Sequence, residues 1–290
     1  MLFISPMIKQ YDFFRTKYGD ELLIDLIHLQ SLEKYILPSS IHTLTYYDIT
    51  LITGGKGSLT IDQHTFGIHP GQLVFSSPGQ VRHWKIDEMP QGLVLIFETS
   101  FLNTFLNDAD FVRNLSYFHS SFVPNLMLDV EEEHHLKKLF EEIEEEIKHF
   151  DKNDKEVLRA LLLQSLVWLN RVFIKRHPDE RNKEFNFHVK AFETLVNEHY
   201  MQHHDITFYA ARLNITQGHL NDLCKKFVGI TAKQYVQNRL MLEAQRLISY
   251  SDLTVNQIAD RLHFDDPSYF IKAFKSATGL TPLNYRKQKP

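Results

Sequence analysis

Residues 254–285, TVNQIADRLHFDDPSYFIKAFKSATGLTPLNY, spell out a short helix, a tight turn and a longer helix. Thr254 with Gln257 forms a capping box, and Leu253 with Ile258 supplies the hydrophobic staple across it. Asp266 occupies the cap of the second helix, with Pro267 where a missing N–H costs nothing. Gly279 supplies the left-handed residue that stops that helix, and Thr281 with Pro282 starts another. This is the layout of a helix-turn-helix.

The same pattern stands earlier in the chain. Residues 211–235 read ARLNITQGHLNDLCKKFVGITAKQY. Leu213 answers Leu262, Ile215 answers Phe264, Leu220 answers Phe270, Lys225 answers Lys275, Gly229 answers Gly279, Thr231 answers Thr281 and Tyr235 answers Tyr285. The offset is 49 positions before the turn and 50 after it, so the second copy has one extra residue there. Asp205 and Thr216 cap the helices of the first copy, and Thr231 with Gln234 restarts the chain after Gly229. One supersecondary unit is therefore used twice. Between the copies, residues 232–249 carry apolar positions at helical spacing. A rod of roughly 27 Å would result at 1.5 Å per residue. Such a rod could set two readers near the ~34 Å between successive major-groove openings.

The runs RLMLEAQRLI and QIADRLHFDDPSYFIKAFKSATGLTPLNYR closely resemble the DNA-binding domain of AraC-type transcription regulators, over Phe185 to Lys287. The resemblance implies a sequence-specific regulator that binds a double-stranded operator, with RNA polymerase as a further partner. The first copy departs from the family with Cys224 where Phe is usual, Ala232 where Pro often stands, and Asp222 where Arg or another donor is common.

The expected DNA contacts on the first recognition helix are Gln217, Gly218, His219, Asn221, Asp222 and Lys225, with counterparts Pro267, Ser268, Tyr269, Ile271, Lys272 and Lys275. Asn and Gln suit adenine, Lys guanine, Asp the cytosine amino group, and Ile a thymine methyl. Lys225, Lys226, Lys275 and Arg286 are expected at phosphates, where they position without reading. The opposing reading of each is an ordinary solvated helix face. Leu220, Leu223, Phe227, Phe270, Ala273 and Phe274 read as core.

Charge divides the chain. From Glu180 to Pro290 there are 15 Lys and Arg against 11 Asp and Glu, whereas residues 1–179 carry 17 against 25. A mildly basic segment on an acidic one suits a DNA domain joined to a non-DNA partner. The seam is expected near 176–184, RHPDERNKE, giving a sensor and dimerisation domain at 1–176 and a DNA domain at 185–290. One cysteine, Cys224, rules out an intrachain disulfide and suits a reducing cytoplasm. No apolar run reaches membrane-spanning length and MLFISPMIKQ lacks a secretory pattern, so a soluble cytoplasmic protein with no membrane partner is expected.

Residues 1–125 read as mainly strand. YYDITLITGGKGSLTI divides into two apolar runs around a Gly-rich turn, followed by TFGIHPGQLVFSSPGQVRHWKI and GLVLIFET. Regular short strands suggest a closed barrel or jelly roll. HPGQLVFSSPGQVRHW resembles the cupin-like sensor found upstream of many AraC-type DNA domains. The fold class expected is thus α+β with two domains: a cupin-like barrel at about 1–125, a helical pair at about 130–176, and an all-α DNA domain. A barrel of this size can hold one small ligand. Tyr46, His83 and Trp84 are the candidates for its lining; His83 and His42 read as pocket-lining or rim residues, with simple hydrogen-bonded histidines as the opposing reading. The antiparallel pair within 130–176, amphipathic then apolar nearly all round and so expected to be buried, resembles the family's dimerisation element.

Two other functions compete. A metal-dependent cupin enzyme needs three ligands with an open position, or two His and a carboxylate. His64 and His69 form no His-x-His pair and His83 stands alone. Glu131/His134, Glu132/His135 and Glu146/His149 have di-iron spacing, but Glu146 and His149 fall off the apolar stripe. His199, His203 and His204 read as surface histidines. No catalytic residue, metal or cofactor is therefore expected. A constitutive DNA binder without an effector is the second competitor.

Overall fold

The computed structural model describes residues 8–14, 22–103, 106, 111–118, 123–150, 155–177 and 187–287. The expected seam lies almost wholly outside the described residues, as do the first seven residues. The chain divides into two compact units, one at Lys9–Arg181 and one carrying Asn182–Pro290.

The first unit is built on an eight-stranded sheet: β1 (Lys9–Tyr11), β2 (Ile24–His28), β3 (Ile41–Leu44), β4 (Tyr47–Ile61), β5 (His64–Gly67), β6 (Gln72–Ser76), β7 (Val81–Phe97) and β8 (Asn125–Met127). Its order is β1-β3-β7-β4-β6-β8, with β2 also on β7 and β5 also on β4. Among the described strands β1 and β8 remain edges, so the sheet is open and the expected closed barrel is not formed. These edge strands are three residues each, too short to close it.

The Gly-rich stretch is a second correction. It makes no turn: β4 runs unbroken through Gly54, Gly55 and Gly57, antiparallel to β7 along its whole length. The register shifts between Ile52 and Gly57, and such bulges bend a strand. At Gly57, φ is 142° and a Cβ would lie 2.1 Å from the Lys85 carbonyl oxygen. At Gly92 in β7, φ is 152° and a Cβ would lie 1.9 Å from the Leu51 carbonyl oxygen. Glycine is required there by close approach of two backbones, not by chain reversal.

Both sheet faces are covered. Ile49, Leu51, Leu73, Phe75, Leu95 and Phe97 join the core that includes the helical pair. Ile52, Val74, Val94 and Ile96 point to the other face, where Leu59, Ile61 and Trp84 complete a second core. This is why the strands read as continuous apolar runs rather than alternating ones. Short helices α1 (Glu33–Ile36) and α2 (Ser100–Asn103) precede the pair α3 (Val130–Lys148) and α4 (Lys155–Arg176). Asp129 and Glu132 form a capping box at the start of α3, and the Arg176 guanidinium donates to Glu132. On α4, Leu158, Leu162, Leu166, Leu169 and Phe173 are buried. Its other side is less covered than expected: Leu161, Leu163 and Trp168 are half-buried and Val157 is exposed. By length and composition alone α4 is apolar enough to cross a membrane, a test that a core helix also passes. Its charged residues broke the apolar run in the sequence but leave the 22-residue helix intact.

The second unit is helical: α5 (Phe187–His199), α6 (Ile206–Arg212), α7 (Gln217–Phe227), α8 (Ala232–Tyr250), α9 (Val255–Arg261), α10 (Pro267–Thr278) and α11 (Pro282–Lys287). One continuous core runs through it, from Phe192 and Tyr209 through Leu220, Val236, Leu240 and Ala244 to Ile258, Phe270 and Phe274.

Candidate nucleic-acid interface and effector cavity

The two helix-turn-helix units share the same turn. After α6, Leu213 caps, Asn214 takes φ 55°, and Ile215 N–H donates to the Ala210 carbonyl over 3.1 Å. After α9, Leu262 caps, His263 takes φ 53°, and Phe264 N–H donates to the Ala259 carbonyl over 2.9 Å. Asn and His are among the few side chains that tolerate this left-handed region. The extra residue of the second turn is Asp265, between Phe264 and the cap. Thr216 accepts from His219 N–H at 3.1 Å, and Asp266 from Ser268 N–H at 2.7 Å. The expected caps Asp205, Thr231 and the Thr254–Gln257 box are all formed. Gly229 and Gly279 take φ 84° and 77° just past α7 and α10.

The units are fused rather than strung. Val236, Leu240, Ala244 and Ile248 of α8 enter the shared core, over a helix of 19 residues, roughly 28 Å. The His204 ring, before α6, lies 5.0 Å from the Phe264 ring of the second turn, and burial lowers its pKa. Cys224 is fully buried in α7, and burial pushes its thiol up to about 12, so it is an inert core residue.

Gln217, Gly218, His219, Asp222, Lys225 and Lys226 are exposed on α7, and Ser268, Tyr269, Lys272 and Lys275 on α10. Pro267 is half-buried at the first turn of α10. Gln217 Nε2 donates to Thr207 Oγ1 at 2.8 Å. Three expected contacts are committed to the fold instead. Asn221 Oδ1 accepts from Ala232 N–H at 3.0 Å, and this holds the start of α8. Ile271 packs on the core. Arg286 donates from Nε to the Ile248 carbonyl at 3.0 Å and from Nη2 to the Leu253 carbonyl at 2.7 Å, tying α11 to the end of α8.

In the first unit, a cavity of about 420 Å³ is lined by Asp12, Phe13, Thr45, Tyr46, Pro78 and Glu98, among others. Tyr46 is thus at a cavity, its hydroxyl pKa raised by burial and by Asp48. His83 and Trp84 do not line it. Trp84 is 2% exposed inside the second core, and His83 is buried with its pKa lowered by desolvation. Sequence reasoning missed a buried ion pair: Arg82 Nη1 donates to Asp48 Oδ2 at 2.7 Å, with both side chains at most 5% exposed. Thr50 Oγ1 donates to the other Asp48 oxygen at 2.7 Å. Arg82 Nε and Trp84 Nε1 are buried without a partner among the described residues. His42 Nδ1 donates to the Ser39 carbonyl at 3.1 Å, and burial, then Arg82, lowers its pKa to about 4. Among the described residues, no group of three His, Cys, Asp or Glu is placed to hold a metal ion.

A sheet domain with a cavity, joined to two fused helix-turn-helix units, defines a two-domain DNA-binding regulator. The family model of the AraC-like ligand binding domain matches residues 39–166, and that of the helix-turn-helix domain matches residues 209–288. The chain belongs to the AraC-type transcription regulators, which bind DNA and join a ligand-binding domain to it. It is similar to the Msm operon regulatory protein of Streptococcus mutans, 25% identical over 248 residues that cover 83% of this chain and 84% of that one. The arabinose operon regulatory protein of Escherichia coli is 21% identical over 249 residues, 83% of this chain and 80% of that protein. The uncharacterized regulator YisR of Bacillus subtilis is 33% identical over 92 residues, 32% of each chain. These relatives are named as transcription regulators rather than enzymes.

Proposed function

We propose that α7 and α10 enter successive major grooves of one operator, and that a small molecule bound in the sheet domain shifts the affinity for it. The observation that carries this reading is the matching turn of two helix-turn-helix units on one core, each with a row of exposed polar side chains along its second helix. Lys225, Lys226 and Lys275 meet phosphates, while Gln217, His219, Asp222, Ser268, Tyr269 and Lys272 face base edges. The fused core makes the second docking intramolecular, so two weak readers act as one tight one. The boundary between the domains falls between the units, near 176–184.

The effector occupies the cavity beside Tyr46. Asp12, Thr45, Tyr46 and Glu98 in its lining support a polar ligand that offers hydrogen-bond donors to the two carboxylates. An effector acts only by binding one arrangement of the protein better than another. The uncovered side of α4 suits a homodimer through 130–176, and RNA polymerase and a cytoplasmic location follow from the regulatory role. Genomic fragments retained by the full chain test the DNA reading: two short enriched blocks about one helical turn apart are expected. Retention without enrichment would leave only non-specific binding. For the effector, at least one metabolite should raise the melting temperature and change affinity for a retained fragment. A constitutive binder would respond to none.

A further inference from the structure

The two recognition helices carry opposite charges at the same outward position. At about 100° per residue, the direction opposite the buried Leu220 and Cys224 is occupied by Gly218, Asp222 and Lys225. Opposite Phe270 and Phe274 stand Ser268, Lys272 and Lys275. Asp222 and Lys272 are therefore corresponding central residues, both exposed. Among the described residues Asp222 makes no hydrogen bond or ion pair, so the fold has no use for its carboxylate.

We propose that Asp222 makes the first unit select cytosine, and that Lys272 makes the second unit select guanine at the corresponding position. This rests on the reading that both helices enter DNA. A carboxylate is repelled by phosphates and by groove acceptors, so it is tolerated only against a donor. The major groove offers two, cytosine N4 and adenine N6. Adenine sets its N7 lone pair beside N6 and repels the second carboxylate oxygen, which leaves cytosine. An ammonium has three donors and no acceptor, and guanine presents O6 and N7 together.

Reach differs as well. The Lys272 stem is four carbons long, whereas the Asp222 carboxylate sits one carbon from the backbone, so α7 must approach closer. Gly218, one turn earlier on the same stripe, gives the room. Its φ is not left-handed, and a Cβ there would meet only Thr216 Oγ1, at 4.0 Å. Nothing in the domain requires glycine at 218. A surface pressed against the helix does. The second unit, with its longer reader, has Ser268 at that place.

The test is selection from a randomised duplex library by the full chain and by Asp222→Asn and Lys272→Gln variants. The wild type should enrich two blocks, one with cytosine and one with guanine at matching positions. Asparagine and glutamine pair bidentately with adenine, so each variant should change its own position to adenine and bind the original site roughly tenfold less well. Gly218→Val should weaken only the cytosine block while leaving the melting temperature in place. Enrichment of two blocks with base profiles unmoved by either variant overturns the assignment alone. No enrichment by the wild type overturns the DNA reading beneath it.

Discussion

Arg286 distinguishes a brace from a clamp. Its guanidinium spans two backbone carbonyls, at 3.0 Å to Ile248 and 2.7 Å to Leu253, joining α11 to the end of α8 and to the segment that follows it. Hydrogen bonds from a charged donor contribute roughly 1.5–3 kcal/mol each. Two made by one half-buried side chain are not additive, so Arg286→Ala should cost about 2–4 kcal/mol of the second unit's stability. Arg286→Lys should lose most of this, because an ammonium cannot span both carbonyls as the fork does. Unfolding of the full chain in urea, with hydrogen exchange of the α11 amides, measures the loss. DNA affinity against salt, taken where the variant is still folded, measures the other role. A phosphate contact contributes about 0.9 to the slope of log K against log salt. The slope should stay unchanged. Unaltered stability with a slope smaller by about 1 would refute the brace and return Arg286 to the phosphates.

Removing Asp48 should strand the Arg82 charge in the sheet domain. Asp48→Ala is expected to cost about 3–5 kcal/mol in unfolding, and replacing both members by apolar residues should recover most of it; a cost below about 1 kcal/mol would show the pair to be solvated. His42 makes the same unit acid-sensitive. Its folded pKa, about 4, lies below the unfolded value near 6.5, so the unfolded chain takes up the proton first and stability falls as pH drops through that window. The loss should approach about 3 kcal/mol by pH 4, and His42→Gln should flatten that part of the profile; an unchanged profile would refute it. Gly218→Ala should stabilise the free protein by up to about 0.5–1 kcal/mol while weakening its DNA complex. A variant that gains stability and binds DNA as before would remove the argument for close approach.

The helical half was legible because its signals are local. Thr254, Gln257, Asp266 and Gly279 act within one or two turns of their positions, and each does what its spacing implies. Asn214 and His263 could have been read as the left-handed turn residues, since they match across the repeat and both types tolerate that region. Arg286 could not be placed, because its acceptors are backbone carbonyls 33 and 38 residues away that no side-chain pattern marks. The sheet half depends on such distant pairs throughout. Gly54, Gly55 and Gly57 look like a turn locally, and only the approach of β7 shows them to be a bend. Tyr46 was named as a candidate for the lining and stands at a cavity, whereas the Asp48–Arg82 pair is 34 residues apart and has no local signature. Trp84 was expected at a ligand and lies in a core, because an aromatic suits either place.

The fused core predicts that the two readers cannot move apart, and this can be measured directly. Once the selected operator is known, about five base pairs inserted between its two blocks turn the second onto the opposite face of the duplex, half of the roughly ten of one turn. The affinity of the full chain should fall to that of a duplex carrying one block, and an insertion of a full turn should not restore it. An affinity unchanged by the half-turn insertion would contradict a regulator that reads its operator with two units held on one rod.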